Sequence, residues 1–340
     1  MTPREVVTAQ FDHQETHPVP YTLGFEGDLP QQLDKHYGTG DWRKRIVKYM
    51  NSLGGVDTQL RRNIDDVYAR DAFGTLWRMD LRPFHLERPG LAEPSFDNWK
   101  FPPVEDFIAA SANIAEQARK SIAEDPDGYR IIHMGWGLFE ESWGIRGFEN
   151  VMTDIVAEED FYAELLDKLT ELFLALVEHC KDVPADAIMF GDDWGDQRGP
   201  IMGPERWCKF FKPRWEKIYA ATHAQGKKAI SHCCGSIAAI MGDVIEIGLD
   251  VLESVQPEAA GMNPYKLKRQ WGDKIAFWGC LGSQSTLPFG GPGDIRTEVR
   301  KLRRQMGTGG GYMLAPAKDL QPGMPIENVV ATLEVFTEQQ

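Results

Sequence analysis

Short apolar runs alternate with longer segments of helical periodicity, most clearly in the C-terminal half of the chain. The apolar runs predict strands at residues 19–25, 130–134, 187–190, 228–232, 251–255, 275–278 and 312–314. The segments between them predict helices at residues 159–180, 204–225, 237–247, 263–271 and 293–306. Such alternation is typical of parallel strands joined by crossover helices.

The chain contains no internal repeat and no low-complexity linker, so we predict a single domain over residues 1–340. A length of 340 residues is long for one ordinary domain, but it suits a (β/α)8 TIM barrel with insertions. The pattern alone leaves a doubly wound open sheet as the alternative architecture.

Composition narrows the classes of partner. About 42% of the residues are hydrophobic, and the formal net charge is −14, which argues against nucleic acid or an anionic membrane as the main partner. No apolar stretch approaches the ~18 residues that a membrane span needs, and the N-terminus lacks the apolar segment of a signal peptide. Five cysteines, an odd number, do not suggest a disulfide framework. We therefore expect a cytoplasmic protein with reduced thiols.

Polar residues collect where predicted strands end. In a parallel barrel these ends form the face that carries chemistry. Candidates from five different strand ends are therefore expected to converge, and they are Asp192, Asp193, Trp194, His232, Cys234, Gln256, Glu258, Cys280, Gln284 and Lys318.

The sharpest local signal is a His-Cys-Cys-Gly sequence at the end of the strand at residues 228–232. Residues i and i+2 of a strand share a face, so His232 and Cys234 point the same way. An imidazole and a thiolate so placed suit zinc, and a catalytic zinc normally takes three protein ligands. Cys280 is the leading third ligand, with Glu258 or Asp192 as oxygen alternatives. The competing interpretation is that the two adjacent cysteines simply pack in the core.

Two further segments suggest substrate contacts. Adjacent carboxylates at Asp192 and Asp193 could act as acid or base, or could accept hydrogen bonds from substrate N–H groups. After the strand at residues 130–134, glycines would let the backbone approach a ligand, while aromatic side chains could form a flat wall. The residues proposed for this wall and for the charges beside it are Trp136, Phe139, Glu140 and Arg146. Glu140 and Arg146 could equally form a structural ion pair.

Taken in order, these strand-end motifs resemble the uroporphyrinogen decarboxylase superfamily over nearly the whole chain. The resemblance implies a distorted (β/α)8 barrel. It rests on residues 19–21, 135–139, 190–194, 227–235, 250–256, 279–289, 315–316, 322 and 325–328.

The superfamily contains two chemistries. Cofactor-free uroporphyrinogen decarboxylases carry an Arg-Gln-Ala-Gly-Arg porphyrinogen-binding motif, which has no counterpart after residues 19–25. Corrinoid-linked methyltransferases carry a His-x-Cys zinc motif, matched here by His232 and Cys234. Their third ligand is a cysteine in a loop that resembles residues 315–320, and Lys318 stands at that position.

The leading hypothesis is a zinc-dependent methyltransferase that moves a methyl group between a small methylated substrate or thiol and a corrinoid protein. His232, Cys234 and Cys280 would hold zinc. The substrate side would be lined by Asp192, Asp193, Gln256, Glu258 and Gln284. The alternatives are a metal-free decarboxylase or lyase that depends on Asp192 or Asp193, and a non-catalytic barrel with a structural zinc. The sequence leaves the substrate and the oligomeric state open.

Overall fold

A computed structural model describes residues 1–338 as a mixed α/β structure with two sheets. The strands are β1 (Met50–Gly55), β2 (Arg62–Asn63), β3 (Tyr68–Arg70), β4 (Leu76–Arg78), β5 (His85–Arg88), β6 (Tyr129–Trp136), β7 (Ala187–Gly191), β8 (Lys228–His232), β9 (Val251–Val255), β10 (Ala276–Leu281) and β11 (Tyr312–Pro316).

The helices alternate with these strands from β6 onward. They are α1 (Pro3–Phe11), α2 (Leu29–Tyr37), α3 (Val104–Ala110), α4 (Ile114–Glu124), α5 (Leu138–Arg146), α6 (Phe148–Ala157), α7 (Glu159–His179), α8 (Pro204–Phe210), α9 (Lys212–Ala224), α10 (Met241–Glu246), α11 (Pro264–Trp271), α12 (Thr286–Phe289), α13 (Pro292–Met306) and α14 (Ile326–Thr337). Short 3-10 helices cover Asp41–Arg45 and Ala238–Ile240.

The larger sheet has seven parallel strands in the order β1-β6-β7-β8-β9-β10-β11, and it curls. The smaller antiparallel sheet, β2 to β5, is inserted between β1 and β6. Every residue of strands β10 and β11 is buried, as expected for parallel strands covered on both faces. Each parallel strand ends on the same edge, which brings its following loop to a common rim.

The predicted strand at residues 19–25 lies along the free edge of β11 without forming a regular strand. Tyr21 and Phe25 make isolated parallel bridges to Leu314 and Leu320. The Thr22 amide donates to the Leu314 carbonyl oxygen at 2.9 Å. The structure therefore shows a seven-stranded parallel sheet extended at one edge by bridges, and not a complete ring of eight strands.

Two predicted helices are each divided. The helix predicted over residues 204–225 is α8 followed by α9, with the break at Phe211. Pro213 lies in the first turn of α9, where its missing N–H costs no helical hydrogen bond, whereas inside a longer helix it would remove one. The helix predicted over residues 237–247 is a 3-10 turn followed by α10.

Among residues 1–338, every helix is either too short or too polar to span a membrane. All five cysteines have free thiols.

Candidate active site at the ends of strands β7, β8 and β9

The candidate site forms where three neighbouring strands end. The register pairs Gly191 of β7 with His232 of β8, and His232 with Glu253 of β9. Residues that follow β7 and β8 are therefore brought beside His232, although about 40 residues separate the two loops in sequence. This is the rim at which parallel α/β structures carry their ligands.

Three potential metal-binding side chains meet at this point. The Nε2 atom of His232 lies 3.1 Å from Cys234 Sγ and 3.7 Å from Asp193 Oδ1. The ligand atoms of Asp193, His232 and Cys234 all lie within 4.8 Å of one another, and the described residues contain no other such group. The structure thus brings His232 and Cys234 together, and it adds Asp193 where the sequence suggested Cys280.

Glu253 holds the imidazole from the other side. Its carboxylate makes a very short hydrogen bond with His232 Nδ1, and its backbone carbonyl accepts the Cys233 N–H at 2.6 Å. Burial alone would lower the pKa of His232, but the Glu253 carboxylate and the Cys234 sulfur together hold that pKa well above its ordinary value. Sequence reasoning missed Glu253, although an acid inside the otherwise apolar strand β9 was a signal.

The loop after His232 is fixed by backbone hydrogen bonds. The Cys234 amide donates to Asp193 Oδ1 at 2.8 Å, and the Gly235 amide donates to Gln256 Oε1 at 3.2 Å. Gly235 has a φ of +78°, and a Cβ there would lie 2.6 Å from carbonyl oxygens of the loop after β7. Gln256, expected to line the substrate side, instead holds this loop in place.

Asp192 is buried and fully engaged by protein donors. Its carboxylate accepts the Phe139 and Glu140 amides at 3.0 Å and the Trp194 indole N–H at 2.6 Å. It therefore caps the first turn of α5 from a neighbouring strand, a task that Gly137 at the helix N-cap cannot perform. Burial raises the pKa of Asp192 to about 7.

Glu140 lies beside this group. Burial raises its pKa to about 8, and the nearby carboxylates of Asp192 and Asp193 add to the increase. A carboxyl with that pKa carries a proton for much of the time at neutral pH. Glu140 does not pair with Arg146, the ion pair that the sequence allowed.

An open cleft of about 570 Å³ gives access to the site. His232, Cys234 and Glu253 form part of its wall together with Trp278 and Lys318. The remaining wall comes from residues 21–24, 26, 46–50, 315–317 and 319. The cleft therefore lies at the seam between β1 and the bridged segment beside β11.

Several expected substrate contacts lie in the core instead. Arg146 is buried and pairs with Asp154 at 2.7 Å. Trp194 is fully buried and donates its indole N–H to Asp192. Phe139 is buried against the ring of Phe211. Each lies on a segment that turns its side chain inward, so none of these three lines the cleft.

Trp136 also falls outside the cleft. Its ring packs against Trp77 of the small antiparallel sheet with centroids 5.6 Å apart, and against Trp143 at 4.7 Å. The aromatic wall expected from the sequence therefore forms the contact between α5 and the antiparallel sheet. The aromatic residues that line the cleft are Tyr21, Tyr49 and Trp278.

The remaining candidates have local roles. Glu258 Oε1 accepts the backbone N–H of Gln284 at 2.9 Å and the hydroxyl of Ser285 at 2.8 Å, so this carboxylate holds the loop after β10. Gln284 is exposed. The Cys280 thiol is buried, which raises its pKa, and it lies within hydrogen-bonding reach of Tyr312 on β11. Strand β9 separates β10 from β8, so Cys280 does not join His232 and Cys234.

The family model described as Uroporphyrinogen decarboxylase (URO-D) matches residues 140–339. The chain belongs to the URO-D family. The match includes strands β7, β8 and β9, whose ends carry Asp193, His232, Cys234 and Glu253, and it leaves out the cleft-wall residues that precede β6. The relatives of this URO-D family chain include methyltransferases as well as decarboxylases.

Among curated relatives, the methylcobamide:CoM methyltransferase MtaA of Methanosarcina barkeri is 27% identical over 186 residues, 54% of this chain and 50% of MtaA. The uroporphyrinogen decarboxylase of Thermus thermophilus is 24% identical over 197 residues, 57% of this chain and 53% of that enzyme. The chain thus spans about half the length of the curated relatives it matches. A methyltransferase structure from Methanosarcina mazei covers 99% of both chains with a TM-score of 0.70 at 18% identity, which shows a shared fold.

Proposed function

We propose that this chain is a zinc-dependent methyltransferase that moves a methyl group between a small methylated substrate or thiol and a corrinoid carried by a partner protein. The observation that carries the proposal is the His232–Cys234 pair, 3.1 Å apart on the wall of an open cleft. The relation to MtaA supports the corrinoid-linked class of reaction.

The residues present fit zinc. With Zn–N at about 2.1 Å and Zn–S at about 2.3 Å, tetrahedral geometry separates the two ligand atoms by about 3.6 Å. The observed 3.1 Å requires only a small outward movement of either side chain. Glu253 occupies Nδ1 of His232, which leaves Nε2 as the ring nitrogen that faces Cys234. When bound, zinc lowers the pKa of a thiol or polarises the heteroatom of a methyl donor.

The other cleft residues would bind and orient the substrate. Lys318 is exposed and forms no ion pair within the described residues, so its ammonium is available to a negatively charged group of the substrate. Trp278 lines the same cleft as His232 and Cys234, and its indole N–H donates to the Thr22 hydroxyl at 2.8 Å. Glu140 does not line the cleft. Its raised pKa would keep a proton on its carboxyl, close to Asp193.

We also propose that residues 20–25 take the eighth position of a closed (β/α)8 barrel. Their parallel bridges to β11 support one side of this closure. On the other side, the Tyr21 hydroxyl oxygen accepts the amide N–H of Val47, which lies in the segment just before β1, at 2.9 Å. The barrel would then be closed between residues 20–25 and β1 by side-chain contacts, and not by a ladder of backbone hydrogen bonds. The cleft opens at this gap.

The proposal is tested by metal content and by methyl transfer. Protein purified without chelator should contain about one zinc per chain, and the His232→Ala/Cys234→Ala double variant should contain none. The wild-type protein should exchange methyl groups between a methylated corrinoid and a small thiol, and the variant should not. Unchanged activity and metal content in the double variant would contradict the proposal.

The competing candidate is a metal-free decarboxylase or lyase, which predicts activity that survives strong chelators. In that reaction Asp192 or Asp193 would stabilise a protonated or hydrogen-bonding intermediate. The Asp192 carboxylate already accepts three protein donors, which leaves it little capacity for a ligand. This engagement counts against Asp192 in a decarboxylase and leaves Asp193 as the carboxylate on which that reaction would depend.

A further inference from the structure

The identity of the third metal ligand is open if zinc is bound by His232 and Cys234. A catalytic zinc normally takes three protein ligands and keeps one position for substrate. Lys318 stands where the resemblance to corrinoid-linked methyltransferases implies a cysteine, but a protonated amine has no lone pair to donate. Cys280 lies beside Tyr312 on the far side of β9. Neither residue therefore completes the site.

Asp193 has the position that such a ligand requires. Its Oδ1 atom lies 3.7 Å from His232 Nε2, and its nearest carboxylate oxygen lies within 4.8 Å of both other ligand atoms. Tetrahedral zinc with Zn–N and Zn–O near 2.0 Å separates those two atoms by about 3.3 Å. The observed separation is thus a few tenths of an ångström wider than a bound ion would need.

The backbone holds Asp193 in this position. Its Oδ1 accepts the Cys234 N–H at 2.8 Å, which ties the loop after β7 to the loop after β8. The preceding residue, Asp192, is fixed by its bonds to the first turn of α5. The Oδ1 atom of Asp193, which lies 3.7 Å from His232 Nε2, is thereby oriented by the Cys234 N–H.

We propose that Asp193 is the third protein ligand, so that this chain holds its metal with one imidazole, one thiolate and one carboxylate. The inference rests on the proposed zinc site and departs from the thiolate pair implied by the family resemblance. A carboxylate is a harder ligand than a thiolate, and it leaves the metal with a single sulfur before substrate binds.

Zinc affinity, measured by competition with a chromophoric chelator on the full-length protein, tests the assignment. Asp193→Ala should weaken zinc binding at least 10-fold. Cys280→Ser and Lys318→Ala should bind zinc within about twofold of the wild type, as matched controls for the two rejected ligands. Unfolding curves of all four proteins establish that each is folded. Wild-type affinity in a folded Asp193→Ala protein would overturn the inference.

The number of sulfur ligands gives a second readout that does not depend on activity. Cobalt(II) in place of zinc shows a thiolate-to-metal absorption band whose intensity follows the number of bound thiolates. The wild type should show the band of one thiolate, Cys234→Ser should lose it, and Asp193→Cys should roughly double it. An unchanged band in Asp193→Cys, or a loss of intensity in Cys280→Ser, would contradict the assignment.

The two proposals fail in different ways. If the wild-type protein binds neither zinc nor cobalt, the proposed function fails and the ligand assignment fails with it. If the wild type binds metal and transfers methyl groups while Asp193→Ala and Asp193→Cys behave as the wild type, only the assignment of Asp193 fails.

Discussion

The carboxylate of Glu253 and the imidazole of His232 face each other across two neighbouring strands. The register of β8 and β9 pairs their Cα atoms, and the side chains form a very short hydrogen bond at Nδ1. The contact fixes the orientation of the ring, so that Nε2 points toward Cys234 and Asp193. Carboxylates in this position are the usual orienting partners of metal-bound histidines.

Glu253→Ala is therefore expected to weaken zinc binding by about 10- to 100-fold, the usual effect of removing such a partner. Glu253→Gln should have a smaller effect, because an amide oxygen can still accept from Nδ1. Chelator competition measures both. Glu258→Gln is the matched control, since Glu258 contacts only the loop after β10. Equal zinc affinities in the Glu253→Ala and wild-type proteins would show that Glu253 does not position His232.

Local periodicity predicted the pairing of His232 with Cys234, because alternate residues of a strand share a face whatever surrounds them. Asp193 needed more than periodicity. It reaches His232 through the register of β7 against β8, and single-sequence patterns do not contain that register. Glu253 depends in the same way on the register of β8 against β9.

Two of the expected substrate contacts lie away from the cleft. Trp194 and Arg146 follow strand ends in sequence, but the direction of each side chain is set by a hydrogen-bonded carboxylate that periodicity does not identify. Arg146 turns toward Asp154 on α6, and Trp194 turns back to Asp192. Strand β1 was missed because Gly54 and Gly55 weaken its strand pattern, and long-range pairing with β6 supplies what propensity does not.

The pKa of Glu140 gives an expected pH dependence of stability. Its folded-state pKa is raised to about 8, whereas an unfolded glutamate titrates near ~4.3. Between these values the folded state binds more protons than the unfolded state, so the free energy of unfolding falls as pH rises from about 4 to about 8. Glu140→Gln removes this group and should flatten the decline.

Urea unfolding of the metal-free protein at pH 5, 6, 7, 8 and 9 measures this slope. Glu116→Gln, a change on the exposed face of α4, serves as the control and should keep the wild-type slope. A Glu140→Gln protein whose stability falls with pH as steeply as the wild type would mean that other groups carry the dependence, of which Asp192, with a pKa of about 7, is the nearest.

Asp192→Ala should destabilise the fold strongly. It leaves the amides of Phe139 and Glu140 and the indole N–H of Trp194 without an acceptor in a buried environment. Each unsatisfied buried donor costs about 1–3 kcal/mol, so we expect a loss of about 3–5 kcal/mol in the free energy of unfolding. Urea denaturation measures the loss, and Asp196→Ala, which removes a partly exposed carboxylate that pairs with Arg198 and accepts the Arg198 and Gly199 amides, should cost clearly less.

Arg146 and Asp154 form a buried ion pair with side-chain exposures of 5% and 2%, and neither residue lines the cleft. Removing one partner leaves the other charge uncompensated, which typically costs about 3–5 kcal/mol. Arg146→Met should therefore lower the unfolding free energy by that amount. The KM for the small substrate, measured below the unfolding temperature, should be unchanged because Arg146 does not line the cleft. A rise in KM of tenfold or more in folded Arg146→Met protein would return Arg146 to the substrate site, and the exposed pair Arg78–Asp80 supplies the stability control through Arg78→Met.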